Sequence, residues 1–300
     1  MDGEMVERVR SFNRTVTERV GALDEHYLGF TRGLGAARVL WEVGADGIEV
    51  RELRRRLALD SGYTSRLLRT LEGQGLVAVH ATTEDRRVRR AELTAAGRAE
   101  CDRLDRRSDE LAASMLEPLD ERQRLRLQAA MGEVERLLRA SMIEFAVEAP
   151  SSPDARYCIG QYFAEIGERF DAGFDPLQSS SPDVAEFTLP NGLFLVARLR
   201  ERPVGCGALR FKPGEPADLK RMWISRDVRG SGLGRRTLRE LERRAAEHGA
   251  TAVRLETNRN LPEAIGLYRS SGYAEVEPFN DERYAHHWFQ KQLEPVATPA

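Results

Sequence analysis

Cysteine is scarce: Cys101, Cys158 and Cys206 are the only three in 300 residues, widely spaced and without a CxxC pair. That argues against a disulfide framework and a thiolate zinc site, and no metal is expected. Long apolar runs are also missing. Stretches such as Leu193-Phe194-Leu195-Val196-Ala197 fall far short of the roughly 20 residues of a spanning helix. The start, Met1-Asp2-Gly3-Glu4, has neither a basic region nor an apolar signal core, so the expected location is the cytoplasm, with no membrane partner. Lysine is rare as well: of 46 basic residues only Lys212, Lys220 and Lys291 are lysines, so arginine carries the positive charge. What is present, 41% hydrophobic and 31% charged residues in 33.8 kDa, suits two packed domains. The net charge of −2 hides an uneven distribution, since Arg51 to Arg90 holds 10 Arg against 5 acids. Basic charge confined to one segment is what a phosphate-binding face shows.

From Met1 to Val147 the pattern is helical, interrupted around residues 76–93. Ile48–Leu57 reads as a short helix with Val50, Leu53 and Leu57 on one side. Asp60 is placed to cap a second helix, Tyr63–Glu72, which Gly73 and Gly75 close. Gly62, Ser65, Arg66 and Arg69 share the face opposite its leucines, an arrangement that suits a helix-turn-helix reading the major groove. Leu76–His80 and Val88–Leu93 read as strands around a hairpin with Arg86 and Arg87 at its tip. Spacing alone leaves this open, because two short helices and a solvated basic hairpin occur in many folds.

The residues themselves go further. Asp85-Arg86-Arg87, five residues, then Leu93-Thr94-Ala95-Ala96-Gly97 resembles the wing signature of the MarR family, and Leu59–Arg69 resembles that family's recognition helix. The resemblance covers residues 1–147. It implies a homodimer on a pseudo-palindromic DNA duplex, with Ser61, Ser65, Arg66 and Arg69 toward the major groove. Arg86 and Arg87 would lie in the wing, Arg87 entering the minor groove. The apolar positions Leu104, Leu111, Met115, Leu116, Leu119, Leu125, Met131, Val134, Leu138 and Phe145 would supply the dimer interface; read alone, they fit intramolecular core equally well.

Ala149-Pro150-Ser151-Ser152-Pro153 reads as a linker over residues 148–153, and residues 294–300 as a loose tail. Between them strands and helices alternate. A helix is expected over Asp154–Phe170 and strands over Leu193–Leu199 and Val204–Phe211, with Glu201-Arg202-Pro203 turning between them. A strand over Leu219–Ile224 leads into Arg226–Arg236, which opens a helix to about His248. Ala252–Thr257, Glu263–Ser270 and His287–Leu293 read as strand, helix and strand. Gly230, Gly232 and Gly234, between a strand and a helix, would let main-chain N–H groups face a phosphate or pyrophosphate. A P-loop would need a Lys after the glycines, and a Rossmann loop a Gly or Ala where Arg235 or Thr237 stands, although Glu256 sits where a ribose-binding acid would.

The remaining pattern, Arg229-x-x-Gly232-x-Gly234, resembles the pyrophosphate loop of the GNAT acetyltransferase superfamily. Ala217–Ile224, Leu255–Asn258 and Ala264–Tyr273 resemble its neighbouring segments over residues 154–293. The chain as a whole thus resembles a mainly α winged helix-turn-helix followed by an α/β GNAT fold. The resemblance implies acetyl-CoA as acetyl donor and an amine acceptor, whose identity is not legible. Gly230, Ser231, Gly232, Leu233, Gly234 and Arg235 would bind the pyrophosphate beside Arg229. Met222, Trp223 and Ile224 would hold the pantetheine, with Asn258 touching it from the next strand. Tyr268 would protonate the leaving thiolate, and Asp218 or Glu256 would serve as base. Of His286 and His287, at most one can face substrate, because neighbours on a strand point oppositely. The opening strand of such a domain is not visible. Two contrasts stand beside this: a regulator that only senses acetyl-CoA, and an enzyme whose winged helix only dimerises.

Overall fold

The computed structural model describes residues 2–81, 87–170, 173–175 and 184–294, and the chain divides between Ala129 and Ala130 into two compact units. The first contains α1 (Gly3–Arg19), α2 (Leu34–Val43), β1 (Ile48–Glu49), α3 (Val50–Leu57), α4 (Ser61–Gly73), β2 (Val77–Ala81), β3 (Arg89–Leu93) and α5 (Ala95–Leu116). Helix α6 (Glu121–Ser141) crosses the division. The three strands form an antiparallel sheet in the order β1-β3-β2. Ile48 and Glu49, expected to begin a helix, pair with Ala91 and Arg90 instead. Ile48 is β-branched and buried, and a sheet edge seats such a residue well.

Leu40, Leu53, Leu71 and Ala91 centre the core of this unit. Asp60 caps α4 as expected, its Oδ1 accepting from the Tyr63 amide at 2.8 Å. Thr94 caps α5 through the Gly97 amide at 3.0 Å. A Cβ on Gly97 would lie 2.0 Å from the Leu76 carbonyl oxygen, so only glycine lets α5 start this close to the chain entering β2. The expected interface positions separate. Leu104 belongs to the core, while Leu125, Met131 and Leu138 are exposed. Helix α1 buries nothing, and its Met5, Val9, Phe12 and Val16 are exposed along one side.

The second unit contains β4 (Ile143–Glu148), α7 (Pro153–Arg169), β5 (Gly192–Leu199), β6 (Arg202–Arg210), β7 (Ala217–Ile224), α8 (Leu233–Glu247), β8 (Ala252–Thr257), α9 (Pro262–Ser270), β9 (Ala274–Glu275) and β10 (His287–Gln292). Its seven strands run β4-β5-β6-β7-β8-β10-β9. The opening strand is therefore present. It is β4, within residues that the helical pattern assigns to the N-terminal unit; Phe145, expected at the interface, pairs with Ala197 and packs against cores of this unit. The expected linker is likewise a tight connection inside this unit. Glu148 ends β4, Ser152 caps α7 by accepting from the Ala155 amide at 3.2 Å, and Pro153 is the first residue of α7, where its missing N–H leaves no helical bond unmade. The β5–β6 hairpin turns one residue earlier than expected, on Arg200 and Glu201, both at positive φ.

Alternation along β5 sends Leu193 and Leu195 into a core shared with α8 and α9, and Phe194 and Val196 into a core shared with α7. Among the described residues, all neighbouring strands are antiparallel except β7 and β8, which pair in parallel only at Ala217–Val253 and Asp218–Arg254. Beyond Asp218 they have no further partners in each other. The backbone at Arg221 takes φ 52°, and the register with β6 shifts there. Among the described residues, no helix is long and apolar enough to cross a membrane.

Candidate functional site

The parting of β7 and β8 leaves space beside the C-terminal half of β7, and the glycine loop closes one end of it. Gly230 and Gly232 adopt φ 78° and 81°, a region costly for residues with a side chain. Gly232 is the N-cap of α8 and provides no capping side chain, so the first-turn amides remain available to an anion. The groove in front of the loop has a volume of about 470 Å³ and is lined by Met222, Trp223, Ile224, Arg229, Gly230, Gly232, Leu233, Gly234 and Arg235. Ser231 is turned away, its hydroxyl donating to the Val228 carbonyl at 2.6 Å. Arg235 reaches the Ser270 hydroxyl at 2.9 Å.

Arg229 braces the loop. Its Nε and Nη2 donate to the Ile224 carbonyl at 3.0 and 2.8 Å, and Nη2 also meets Glu165 Oε2 at 2.5 Å. Glu165 accepts from the Trp223 indole at 3.1 Å as well. Burial pushes the Glu165 carboxyl up, but these bonds outweigh it and hold the group below the ordinary carboxylate range. Arg229 is thereby tied to the main chain before the loop, and the Ile224 carbonyl accepts both of these bonds. Nothing in the sequence marks Glu165, which lies about 60 residues from the atoms it holds.

A second cavity, of about 110 Å³, adjoins the groove, and Tyr162, Ile166, Met222, Leu261, Ala264 and Tyr268 line both. Tyr268 is 6% exposed. Burial and, secondarily, the charge of Glu256 push its phenol well above the ordinary value, which keeps it protonated. Glu256 faces the second cavity. Its carboxylate is ion-paired with Lys220 and accepts from Asn280 Nδ2 at 3.3 Å. Tyr162 and Lys220 carry no functional signal in the sequence.

Asp218 does not reach either cavity. It is buried between Arg210, whose Nη2 lies 2.6 Å from Oδ2, and Arg254, whose Nε lies 2.6 Å from Oδ1. Two guanidiniums share its charge, and neither space in which an amine could approach Glu256 or Tyr268 is lined by it. Asn258 lines the second cavity and a further one beside it, with its side chain engaged. Its Nδ2 donates to the Tyr284 carbonyl at 2.7 Å and its Oδ1 accepts from the Asn260 amide at 2.9 Å, so the side chain ties down a loop. Of the histidines, His286 lines a further cavity at the mouth, while His287 Nδ1 lies 2.6 Å from Glu275.

In the first unit, α4 buries Thr64, Leu68 and Leu71 and exposes Ser61, Arg66 and Arg69, with Ser65 half-buried. Arg66 lies over the Tyr63 ring, 5.8 Å from its centroid. Arg87 is exposed in the turn before β3, and Arg86 lies outside the described residues.

A model of the GNAT family of acetyltransferases matches residues 163–273, and a MarR-family model matches residues 28–88. An IAA acetyltransferase of Azospirillum brasilense is 38% identical over 98 residues, 32% of this chain and 64% of that protein. An uncharacterized N-acetyltransferase of Schizosaccharomyces pombe is 27% identical over 139 residues, 45% of this chain and 83% of its own. The solved structure of a GNAT-family acetyltransferase from Staphylococcus aureus Mu50 aligns with a TM-score of 0.44 at 18% identity, over 51% of this chain and 99% of that one.

Proposed function

We propose that this chain, in which a MarR-family region is followed by a GNAT acetyltransferase domain, transfers an acetyl group from acetyl-CoA to a primary amine and binds duplex DNA as a cytoplasmic homodimer. The transfer reading rests on one junction, where the groove before the glycine loop meets, at Met222 and Tyr268, a cavity holding a carboxylate. The groove fits acetyl-CoA on chemical grounds: a helix N-terminus without a capping side chain, and open space where a Cβ on Gly230 or Gly232 would project.

Bound there, acetyl-CoA supplies a thioester carbonyl for an amine's lone pair to attack. Tyr268, kept neutral by burial, donates its proton to the sulfur as the carbon–sulfur bond breaks. Glu256 takes the proton that the nitrogen sheds, directly or through one water, and Lys220 fixes its orientation. Main-chain groups of Met222 and Trp223 hold the pantetheine. Thiol release from acetyl-CoA over a panel of primary amines tests this reading. Amine-dependent release is expected. Tight acetyl-CoA binding with no release on any amine would favour a sensor.

For DNA, the supports are the exposed Arg66, Arg69 and Arg87 and the uncovered apolar side of α1 and α6. Ser61, Ser65 and Arg86 complete the proposed contact set. Replacing Arg87 by Ala should lower the slope of log affinity against log salt by about one for each phosphate no longer neutralised. An unchanged slope and affinity in Arg66→Ala and Arg87→Ala together would refute these contacts.

A further inference from the structure

The wall of the second cavity carries a feature that acetyl transfer alone does not require. Phe163 and Phe170 on or next to α7, Phe174 beyond it, and Tyr284 before β10 gather on one side of it. Phe174 is the hub. Its ring centroid lies 5.6 Å from Phe163 at 21°, 5.8 Å from Phe170 at 85°, and 4.9 Å from Tyr284 at 53°. Aromatics make up 7% of the chain, yet these four meet here, and each is only half-buried. Rings that pack against one another and still keep open surface are lining a space rather than filling a core. The mouth cavity, about 530 Å³, shares Phe170, Phe174 and Tyr284 with the inner one, so the wall continues outward.

Charge does not select the occupant. The inner cavity sets Lys220 and Arg221 against Glu256 and Glu282. Glu256 is ion-paired with Lys220, and the Arg221 guanidinium lies over the rings of Phe163 and Phe187 at 5.6 and 4.8 Å. A polyamine would meet cations as often as carboxylates there. What remains to discriminate is stacking. We propose that the acceptor is an amine attached to a flat aromatic body, held against Phe174 and its neighbours with the amine directed toward Glu256. This rests on the acetyl-transfer reading for the role of the cavity, though not for the binding itself.

The test is calorimetry on the full chain saturated with CoA, comparing 2-phenylethylamine with 2-cyclohexylethylamine, which has the same carbon skeleton without the π-system. The aromatic amine should bind about three- to tenfold more tightly. Phe174→Leu should erase that difference while leaving CoA affinity unchanged, and Phe170→Leu serves if the first variant does not fold. Equal or reversed affinities in the wild type, no binding of either amine at millimolar concentration, or a preference that survives removal of the ring would overturn the proposal. Thiol release with acetyl-CoA separates the two readings. Equal turnover of both amines keeps acetyl transfer and sinks the aromatic preference. Selective binding without thiol release does the reverse.

Discussion

The glycine loop that ends the groove and the cavity beyond Tyr268 are built in opposite ways. The loop end of the groove is one short segment, Arg229 to Arg235, with glycine at 230, 232 and 234, and the Arg229 and Ser231 side chains bond to main-chain carbonyls at Ile224 and Val228. The cavity is largely side chain, assembled from α7, β7, β8, α9 and the stretch around Tyr284. A main-chain site tolerates changes of side-chain chemistry but not the addition of a Cβ in the wrong conformation. A side-chain site tolerates backbone variation but not the loss of a functional group. Loop substitutions should therefore act on acetyl-CoA binding, and substitutions of Tyr268 or Glu256 on turnover.

Gly232→Val should break the groove outright. Valine at φ 81° is strained, and relief of that strain would turn the first-turn amides of α8 away from the pyrophosphate. Acetyl-CoA binding by calorimetry should disappear, while the first unit stays folded because it has its own core. Retained acetyl-CoA affinity would show that side chains, and not the backbone at this position, bind the anion.

Tyr268→Phe addresses the junction. The ring stays among Tyr273, Phe289 and their neighbours, so acetyl-CoA affinity should hold, while turnover falls about 10²–10⁴-fold. A fall in affinity with unchanged turnover would invert the assignment of binding to the groove and chemistry to the cavity.

That division also governs what is legible in the sequence. The glycine loop can be read because a main-chain site leaves its demand for glycine in consecutive residues. The same holds for Thr94 and Gly97, whose cap and close approach to Leu76 sit in one short motif. The cavity can be read only in part. Tyr268 and Glu256 stand out, but Glu165, Lys220 and the ring cluster act through contacts between distant segments, and no local spacing encodes them. The missed strand has a similar cause. Ile143–Glu148 follows α6 after a single residue, and its pairing with β5 depends on a partner about 50 positions away. Asp218 looks like a base in the sequence because nothing local reveals Arg210 and Arg254 on the neighbouring strands.

Glu256→Gln tests how much the cavity's carboxylate contributes to deprotonation. Glutamine keeps an acceptor for Asn280 but leaves Lys220 without its ion pair. Turnover near neutral pH should fall about 10–10²-fold, less than for Tyr268 because water can accept a proton from the amine. The defect should shrink as pH rises, since the share of free amine grows about tenfold per unit below its pKa near 10. A defect that is constant across pH would place Glu256 in substrate orientation instead.

Asp218→Asn should have the smallest effect on catalysis and a clear one on stability. Burial alone would raise this carboxyl, but bonds from Arg254 and Arg210 outweigh it, and the group is held below its ordinary value. A carboxylate whose folded value is depressed contributes stability that is fully present above its unfolded value, about 3.9, and is lost as pH falls through the folded one. The variant should therefore melt several degrees below the wild type at pH 7, where breaking a buried pair costs up to about 3–5 kcal/mol. The gap should narrow below about pH 4, as the wild-type carboxylate takes up its proton and loses the same interaction. Turnover of the folded variant should match the wild type, because Asp218 lines neither the groove nor the cavity. A turnover defect as large as that of Glu256→Gln, with the melting point unmoved, would return Asp218 to the chemistry and place the base outside the cavity.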